Sequence, residues 1–209
     1  VTVVKGLNLS DYDPSVHQIV SMASCTTNGL APLVKVLYDK FGISAGLFST
    51  IHAYTNTQSL TDQPMKDEAD SWAACENIIP SSSGAAKALA IILPATQGVV
   101  TGKAYRVPVR TGSIVELYAV VNQDGLTAED VNKAFEQYLW ENHELGEVAQ
   151  LLDGEWSSAR IIGEKKTALI LTSLTQVVGR LVCVAAMYDN EMGYSTRLAE
   201  VACHMSFKV

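Results

Sequence analysis

The sequence predicts an α+β domain: a mixed, largely antiparallel sheet with helices packed on one face. Three observations predict it. Strand-like stretches come in adjacent pairs rather than in strict alternation with helices, which disfavours a doubly wound parallel sheet. Several segments between them repeat apolar residues at helical spacing. No G-x-G-x-x-G and no Walker-type phosphate loop occurs in the 209 residues, so they carry no recognisable nucleotide-binding unit of their own.

The elements follow in order. "VTVVKGLN" reads as a short strand ending at Gly6, followed by a polar turn through "LSDYDPS". "HQIVSMAS" reads as a second strand that runs into Cys25. Leu30, Leu33, Val34, Leu37 and Phe41 fall on one helical face, and Gly42 supplies the stop. "GLFSTIHAY" is strand-like; the polar loop 55–77 after it is longer than an ordinary connection and so a candidate for function. "SSSGAAKALAIIL" opens a helix with serines where a cap is wanted, and Pro94 follows its end. "KAYRVPV" and "GSIVELYAVVN" form two strands joined by a turn at Arg110 to Gly112. Thr127 and Asp130 make a capping box for a helix whose apolar face is Val131, Ala134, Phe135, Tyr138 and Leu139. "TALILTSL" and "RLVCVAAMY" are further strands, and "STRLAEVACHMSF" is a closing helix.

Composition narrows the function. Hydrophobic residues make up 48% and charged residues 18%, which is globular rather than disordered. Net charge is −7 and no Lys/Arg run exceeds two residues, which argues against a nucleic-acid partner. No apolar run approaches the roughly 20 residues of a membrane span, and no signal peptide is visible. Cys25, Cys75, Cys183 and Cys203 are widely spaced, without C-x-x-C or a zinc-like Cys/His run, which points to free thiols and a cytoplasmic setting.

Cys25 stands in "SMASCTTNGLAP", among hydroxyls at the start of a helix. A cysteine there is packing filler, a redox sensor, half a metal site or a nucleophile. Its flanks, Ser24, Thr26, Thr27 and Asn28, do not suit an apolar burial site. A helix N-terminus favours an anion and is expected to lower the thiol pKa from about 8.5 toward neutrality. Among His17, His52, His143 and His204, His52 in "STIHAYTNTQ" has the best context for a base, although a lone histidine beside apolar residues is more often structural. Taken singly, "SSSG" reads as a helix cap, Arg106 equally as a surface strand arginine or an anion-binding fork, and "YDNEMGYS" as a polar turn.

Together, "ASCTTN", "HAYTNTQ", "NIIPSSSGAAKA", "RVPV" and "YDNEMGYS" resemble the catalytic, C-terminal domain of phosphorylating glyceraldehyde-3-phosphate dehydrogenases. The resemblance runs in order from about Val1 to the C-terminus with matching spacings. It implies that residues 1–20 are a remnant of the end of the NAD-binding domain and residues 21–209 a single catalytic domain. It implies Cys25 as the nucleophile that becomes a thioester, and His52 as the base that activates it. Ser24, Thr26, Ser83 and Gly84 match the family's inorganic-phosphate site, and Thr55, Thr57 and Arg106 its substrate-phosphate site. Asn190 matches the residue that fixes the nicotinamide amide, and Tyr194 the one beside that ring. The implied cofactor is NAD, or NADP. The implied partners are a phosphorylated aldehyde, inorganic phosphate, the missing NAD-binding domain and further copies of the chain in a tetramer. Without that domain the chain is expected to be inactive in hydride transfer.

The sequence departs from the family in the 55–77 loop. Glu68, Ala69, Asp70, Ser71 and Trp72 occupy a normally arginine-rich stretch, and Trp72 replaces a phosphate-binding arginine. Losing such a contact costs about 1.5–3 kcal/mol, or roughly ten- to a hundredfold in anion affinity. Arg110 compensates only if its turn points inward. Thr111 replaces the usual Asn of that turn, and Gly29 replaces a second cysteine without expected effect on the chemistry. Two alternatives stay open: a related aldehyde dehydrogenase with altered substrate or weak phosphate coupling, and a degenerate non-catalytic domain in which Cys25 is a redox-sensitive thiol.

Overall fold

Helix α1 (Cys25–Phe41) organises the domain. The Ser24 hydroxyl caps it by accepting the Thr27 N–H at 3.1 Å. Leu30, Leu33, Val34 and Leu37 are buried along its length. Gly42 ends it at φ +65°, where a Cβ would lie 2.5 Å from the Asn122 amide. The computed structural model describes residues 1–207.

Beneath α1 lies an eight-stranded sheet: β1 (Ile43–Ala53), β2 (Ile79–Ser82), β3 (Val100–Val107), β4 (Ser113–Val121), β5 (Ala149–Leu152), β6 (Ala168–Leu171), β7 (Gln176–Val178) and β8 (Leu181–Tyr188). The strand order is β2-β3-β1-β4-β8-β6-β5, with β7 also on β8. β1 with β3 and β5 with β6 pair in parallel; the other neighbours are antiparallel. α1, α2 (Ala85–Ile92), α3 (Ala128–Glu141) and α4 (His143–Val148) share one core with the inward strand residues, among them Phe48, Leu117 and Val184. The opposite face leaves Leu47, Tyr118 and Leu181 exposed. The expected α+β class, with a mixed sheet and helices on one face, is what the chain adopts.

Several elements differ from expectation. The two strands read before Cys25 amount to one parallel bridge between Thr2 and Ser21. Their apolar residues are buried by other means: Val3, Tyr12 and Met22 pack with Val201 of α5 (Met192–Phe207) rather than join the sheet. The serines before α2 belong partly to β2, and α4, β5 and β7 were not anticipated. The capping box at Thr127 and Asp130 is present in full.

Between β8 and α5, Asp189 fixes three segments. Its carboxylate accepts the N–H groups of Glu191 (2.9 Å), Met192 (3.0 Å) and Gly163 (2.8 Å) and the Thr111 hydroxyl (3.2 Å). Burial works against the charge, but these donors hold the carboxyl below the usual range. Asp189→Ala is expected to cost about 2 kcal/mol, the upper end for a lost helix cap. Urea denaturation of the two proteins at pH 7 measures it.

Candidate functional site

The strand end of β1 and the start of α1 bring a histidine to a cysteine. Cys25 is the first residue of α1, and the backbone enters through Ala23 at φ +58°, a left-handed conformation unfavourable for alanine. The Tyr194 hydroxyl reaches the Ala23 carbonyl at 3.5 Å. His52 lies near the end of β1, 4% exposed, with Nε2 3.4 Å from Cys25 Sγ. Its other nitrogen, Nδ1, is 2.6 Å from the Ala53 carbonyl oxygen and 2.5 Å from Nη1 of Arg106. Arg106 is there because β1 and β3 pair in parallel, with His52 and Arg106 in register.

Tyr188, at the end of β8, closes the group from below. Its buried hydroxyl bonds Thr50 at 2.8 Å and Thr26 at 3.1 Å, and its ring stands edge-on to His52 with centroids 6.0 Å apart. Gly29 is what lets α1 sit this close: a Cβ there would meet the Thr167 carbonyl and the Tyr188 ring at 3.1 Å.

The electrostatics correct one expectation. Burial pushes the Cys25 thiol up, more than the N–H groups of Thr26 and Cys25, the Thr26 hydroxyl and the Arg106 charge pull it down. Burial likewise lowers His52 to about 4, aided by Arg106 and opposed by the Ala53 carbonyl. The helix start does not by itself produce a thiolate. Burial is the largest influence on both groups, and it disfavours the charged form of each.

The same burial makes His52 an acid-sensitive element. Its folded pKa of about 4 lies below the ordinary 6.5, so between these values the unfolded chain binds a proton that the folded chain refuses. Stability contributed by neutral His52 is present above pH 6.5 and falls as pH drops toward 4, by roughly 3 kcal/mol in all. Urea denaturation at pH 7 and pH 5 is expected to show a loss of about 2 kcal/mol that His52→Gln does not show.

The remaining expected residues divide. Ser24 and Thr26 flank Cys25, with Ser24 spent on the helix cap and Thr26 on Tyr188. Thr55 and Thr57 follow β1 and hydrogen-bond each other at 3.1 Å. Asn190 is oriented by the Gly112 N–H (3.0 Å) and Ser113 hydroxyl (3.2 Å), which donate to its Oδ1; its amide nitrogen makes no hydrogen bond among the described residues. Ser83 accepts the Ala85 N–H, and Gly84 precedes α2 as an exposed residue. No hydrogen bond among the described residues ties Ser83 or Gly84 to the thiol, imidazole or guanidinium, and β2 runs from Ile79, opposite Arg106, to Ser82, opposite Lys103. Arg110 does not point into the group: it lines a cleft of about 360 Å³ with Ser158, Ile162 and Glu191. Trp72 is 55% exposed and lines a groove of about 580 Å³ with Glu68, Ile78 and Pro80. Thr57 shares a cavity of about 520 Å³ with Lys66, Asp67, Glu68 and Asp70. Tyr188, Thr50 and the Ala53 carbonyl were not anticipated; Tyr188 was in view as the first residue of "YDNEMGYS".

Among the described residues no cluster of His, Cys, Asp and Glu is arranged for a metal, and no helix is long and apolar enough to cross a membrane. All four cysteines are free thiols.

A thiol in contact with an imidazole at a helix start, backed by a guanidinium, is a cysteine–histidine pair of the class used for nucleophilic chemistry. The chain belongs to the glyceraldehyde 3-phosphate dehydrogenase family: residues 24–190 match the family's C-terminal domain. It is similar to glyceraldehyde-3-phosphate dehydrogenase 1 of Bacillus subtilis, 43% identical over the whole chain and 62% of that protein. Similarity extends to the Geobacillus stearothermophilus glyceraldehyde-3-phosphate dehydrogenase, at 40% over the whole chain and 62% of the relative, and to that of Streptomyces coelicolor, at 43% over 96% of the chain and 60% of the relative. The chain thus spans about three fifths of the length of the relatives it matches.

Proposed function

We propose that the chain is the catalytic domain of an NAD-dependent phosphorylating aldehyde dehydrogenase acting on glyceraldehyde 3-phosphate. The observation that carries the reading is the 3.4 Å contact between Cys25 Sγ and His52 Nε2 at the start of α1. His52 Nε2 takes the thiol proton as sulfur attacks the aldehyde carbon. The oxyanion so formed lies beside the Cys25 N–H and the protonated imidazole, which returns a proton to give the hemithioacetal. Bound NAD supplies the two-electron acceptor for the hydride on that carbon. His52 removes the hydroxyl proton as the carbonyl re-forms, leaving a thioester on Cys25. Inorganic phosphate then attacks the thioester carbon, and the Cys25 thiolate leaves as the acyl phosphate forms. A thiol suits both halves, because it adds readily to aldehydes and its thioester stays activated.

Arg106, Thr55 and Thr57 are read as the substrate-phosphate site, and Ser24, Thr26, Ser83 and Gly84 as the inorganic-phosphate site. The first set offers a guanidinium, which contacts His52, and two hydroxyls that bond each other. The residues present fit the nicotinamide end of the cofactor. Asn190 is held by its oxygen and has an amide donor to spend, and Tyr194 offers a ring beside the segment that leads to Cys25. The adenosine end needs a dinucleotide-binding domain, of which residues 1–20 are read as the exit. That domain is what hydride transfer requires beyond these residues. The sheet face with Leu47, Tyr118 and Leu181 is read as the surface for further copies of the chain, and the setting as cytoplasmic.

Protection tests the reading without the cofactor. Glyceraldehyde 3-phosphate is expected to shield Cys25 from alkylation reversibly, by adding to its sulfur, and to leave Cys75 unprotected. Equal alkylation of Cys25 with and without the aldehyde contradicts the reading. A second reading, a related aldehyde dehydrogenase with altered substrate or weak phosphate coupling, is favoured by one observation: Asp67, Glu68 and Asp70 line the cavity that holds Thr57. Phosphate-dependent turnover of the complete enzyme at ordinary phosphate concentration would exclude it.

A further inference from the structure

The turn that enters α1 is made by an alanine, not a glycine. Ala23 is the only non-glycine residue with positive φ among the described residues, and its +58° is the left-handed conformation that alanine resists. One side chain does most to hold it there: Asn28, the fourth residue of α1, 1% exposed. Its Nδ2 donates to the Met22 carbonyl at 3.0 Å and to the Ser24 carbonyl at 2.9 Å, so a single amide spans Ala23 from either side. The Tyr194 hydroxyl reaches the carbonyl between them at 3.5 Å. Turning the amide over would set its oxygen against two carbonyl oxygens, which fixes the assignment.

For packing alone the arrangement is a poor one. Asn28 Oδ1 is buried with no hydrogen-bond partner among the described residues, and asparagine is a weak helix former. Leucine would fill a similar volume and leave no side-chain acceptor unpaired. What leucine could not do is bind Ser24. The Ser24 carbonyl and the Cys25 N–H share one peptide plane and point in opposite directions. That carbonyl receives two donors from one residue, Asn28 Nδ2 and the Asn28 backbone N–H at 3.0 Å. With both its lone pairs engaged the plane is pinned, and the Cys25 N–H is held pointing out of the helix start. Burial dominates the Cys25 thiol, and this N–H is among the donors that oppose it, which sets it beside the sulfur.

We propose that Asn28 is a positioning residue that acts through the Cys25 N–H: by clamping the Met22 and Ser24 carbonyls across the left-handed Ala23, it holds that N–H where an oxyanion forms when Cys25 attacks a carbonyl. The proposal rests on the reading of Cys25 and His52 as nucleophile and base. The same N–H has no such part in displacement at a saturated carbon, where no oxyanion develops. Asn28 therefore separates two reactions of one thiol.

The test compares those reactions on the same chain. With acetyl phosphate, sulfur bonds to the acetyl carbon through a tetrahedral oxyanion, His52 takes the thiol proton and inorganic phosphate leaves. With iodoacetamide, sulfur bonds to the methylene carbon, iodide leaves and the thiol proton goes the same way. Mass spectrometry quantifies both adducts on Cys25. Asn28→Leu is expected to lower the acylation rate about ten- to a hundredfold, less than the roughly 10²–10³ for outright loss of an oxyanion donor, because the residue-28 backbone N–H still holds Ser24. Alkylation is expected to stay within a few-fold of wild type. Ala23→Val loads the same turn from the other side, since a β-branched residue resists φ +58°, and carries the same expectation if Asn28→Leu does not fold. A ratio of acylation to alkylation within a few-fold of wild type in the folded variant, whether both rates fall together or neither moves, overturns the proposal. If wild-type Cys25 is alkylated but never acylated, the reading of the pair fails first, and this proposal with it.

Discussion

His52→Ala is expected to slow acylation of Cys25 by acetyl phosphate by about 10²–10⁴-fold at pH 7, the range for loss of a positioned general base. The reaction is the reverse of the phosphate step: sulfur bonds to the acetyl carbon and inorganic phosphate leaves, so no cofactor is needed. The size of the effect follows from the resting state of the pair. Burial disfavours the thiolate and the imidazolium alike, so sulfur depends on a neutral imidazole that accepts its proton at the moment of attack. Without the imidazole, the remaining route is spontaneous ionisation of a half-buried thiol. The variant's rate should therefore climb with pH through and beyond the ordinary thiol range, while the wild-type rate changes less. Mass spectrometry of the modified peptide follows both. A His52→Ala rate within a few-fold of wild type would mean that the contact at 3.4 Å is only packing.

Gly102→Ala is expected to give the largest loss of stability of any single methyl added to this sheet. Gly102 pairs directly with Phe48 where β3 lies parallel to β1, and its Cβ would stand 2.2 Å from the Phe48 carbonyl oxygen and 2.5 Å from the Phe48 ring. The oxygen is backbone, so it cannot swing aside as the end of a flexible side chain would. Overpacking ordinarily costs about 1–3 kcal/mol, and a backbone clash puts this case at about 3 kcal/mol or above. The damage also reaches the site. Four residues further along the same register, His52 and Arg106 face each other, so strands pushed apart at Gly102 carry the guanidinium away from Nδ1. Urea denaturation reads the first effect, and the rate of Cys25 acylation by acetyl phosphate in whatever fraction stays folded reads the second. A fully stable Gly102→Ala protein would contradict the described β1–β3 register.

What could be read before the fold was known depended on how local the signal was. Helix α1 was legible because cap, apolar stripe and terminating glycine lie within one stretch of chain. The helix from Thr127 was legible for the same reason. Residues 1–22 were misread because alternating apolar residues state only that a face is buried. Here α5, at the far end of the sequence, does the burying. β2 was hidden by its composition: its serines read as a helix cap, and it carries Pro80, which an edge strand tolerates because one side of it needs no ladder bond. The thiol and the histidine were chosen from their flanks and paired through the family resemblance, but the contact between His52 and Arg106 was not accessible. Parallel pairing of β1 with β3 creates it between residues 54 apart in the chain. The thiol's own ionisation went the other way for a related reason. The helix start is visible in the sequence, whereas the depth at which Tyr188, His52 and the sheet enclose the sulfur is not.

The most direct test of a Cys25–His52 nucleophile is site-resolved acylation. The chain is treated with acetyl phosphate at pH 7, and acetyl adducts on Cys25, Cys75, Cys183 and Cys203 are quantified by mass spectrometry. Cys75 and Cys203 are exposed and Cys25 is not, so simple access favours the wrong residues. The predicted result is acylation of Cys25 well ahead of both, lost in His52→Ala. Acylation that follows exposure, with Cys75 and Cys203 first and Cys25 last, would contradict it.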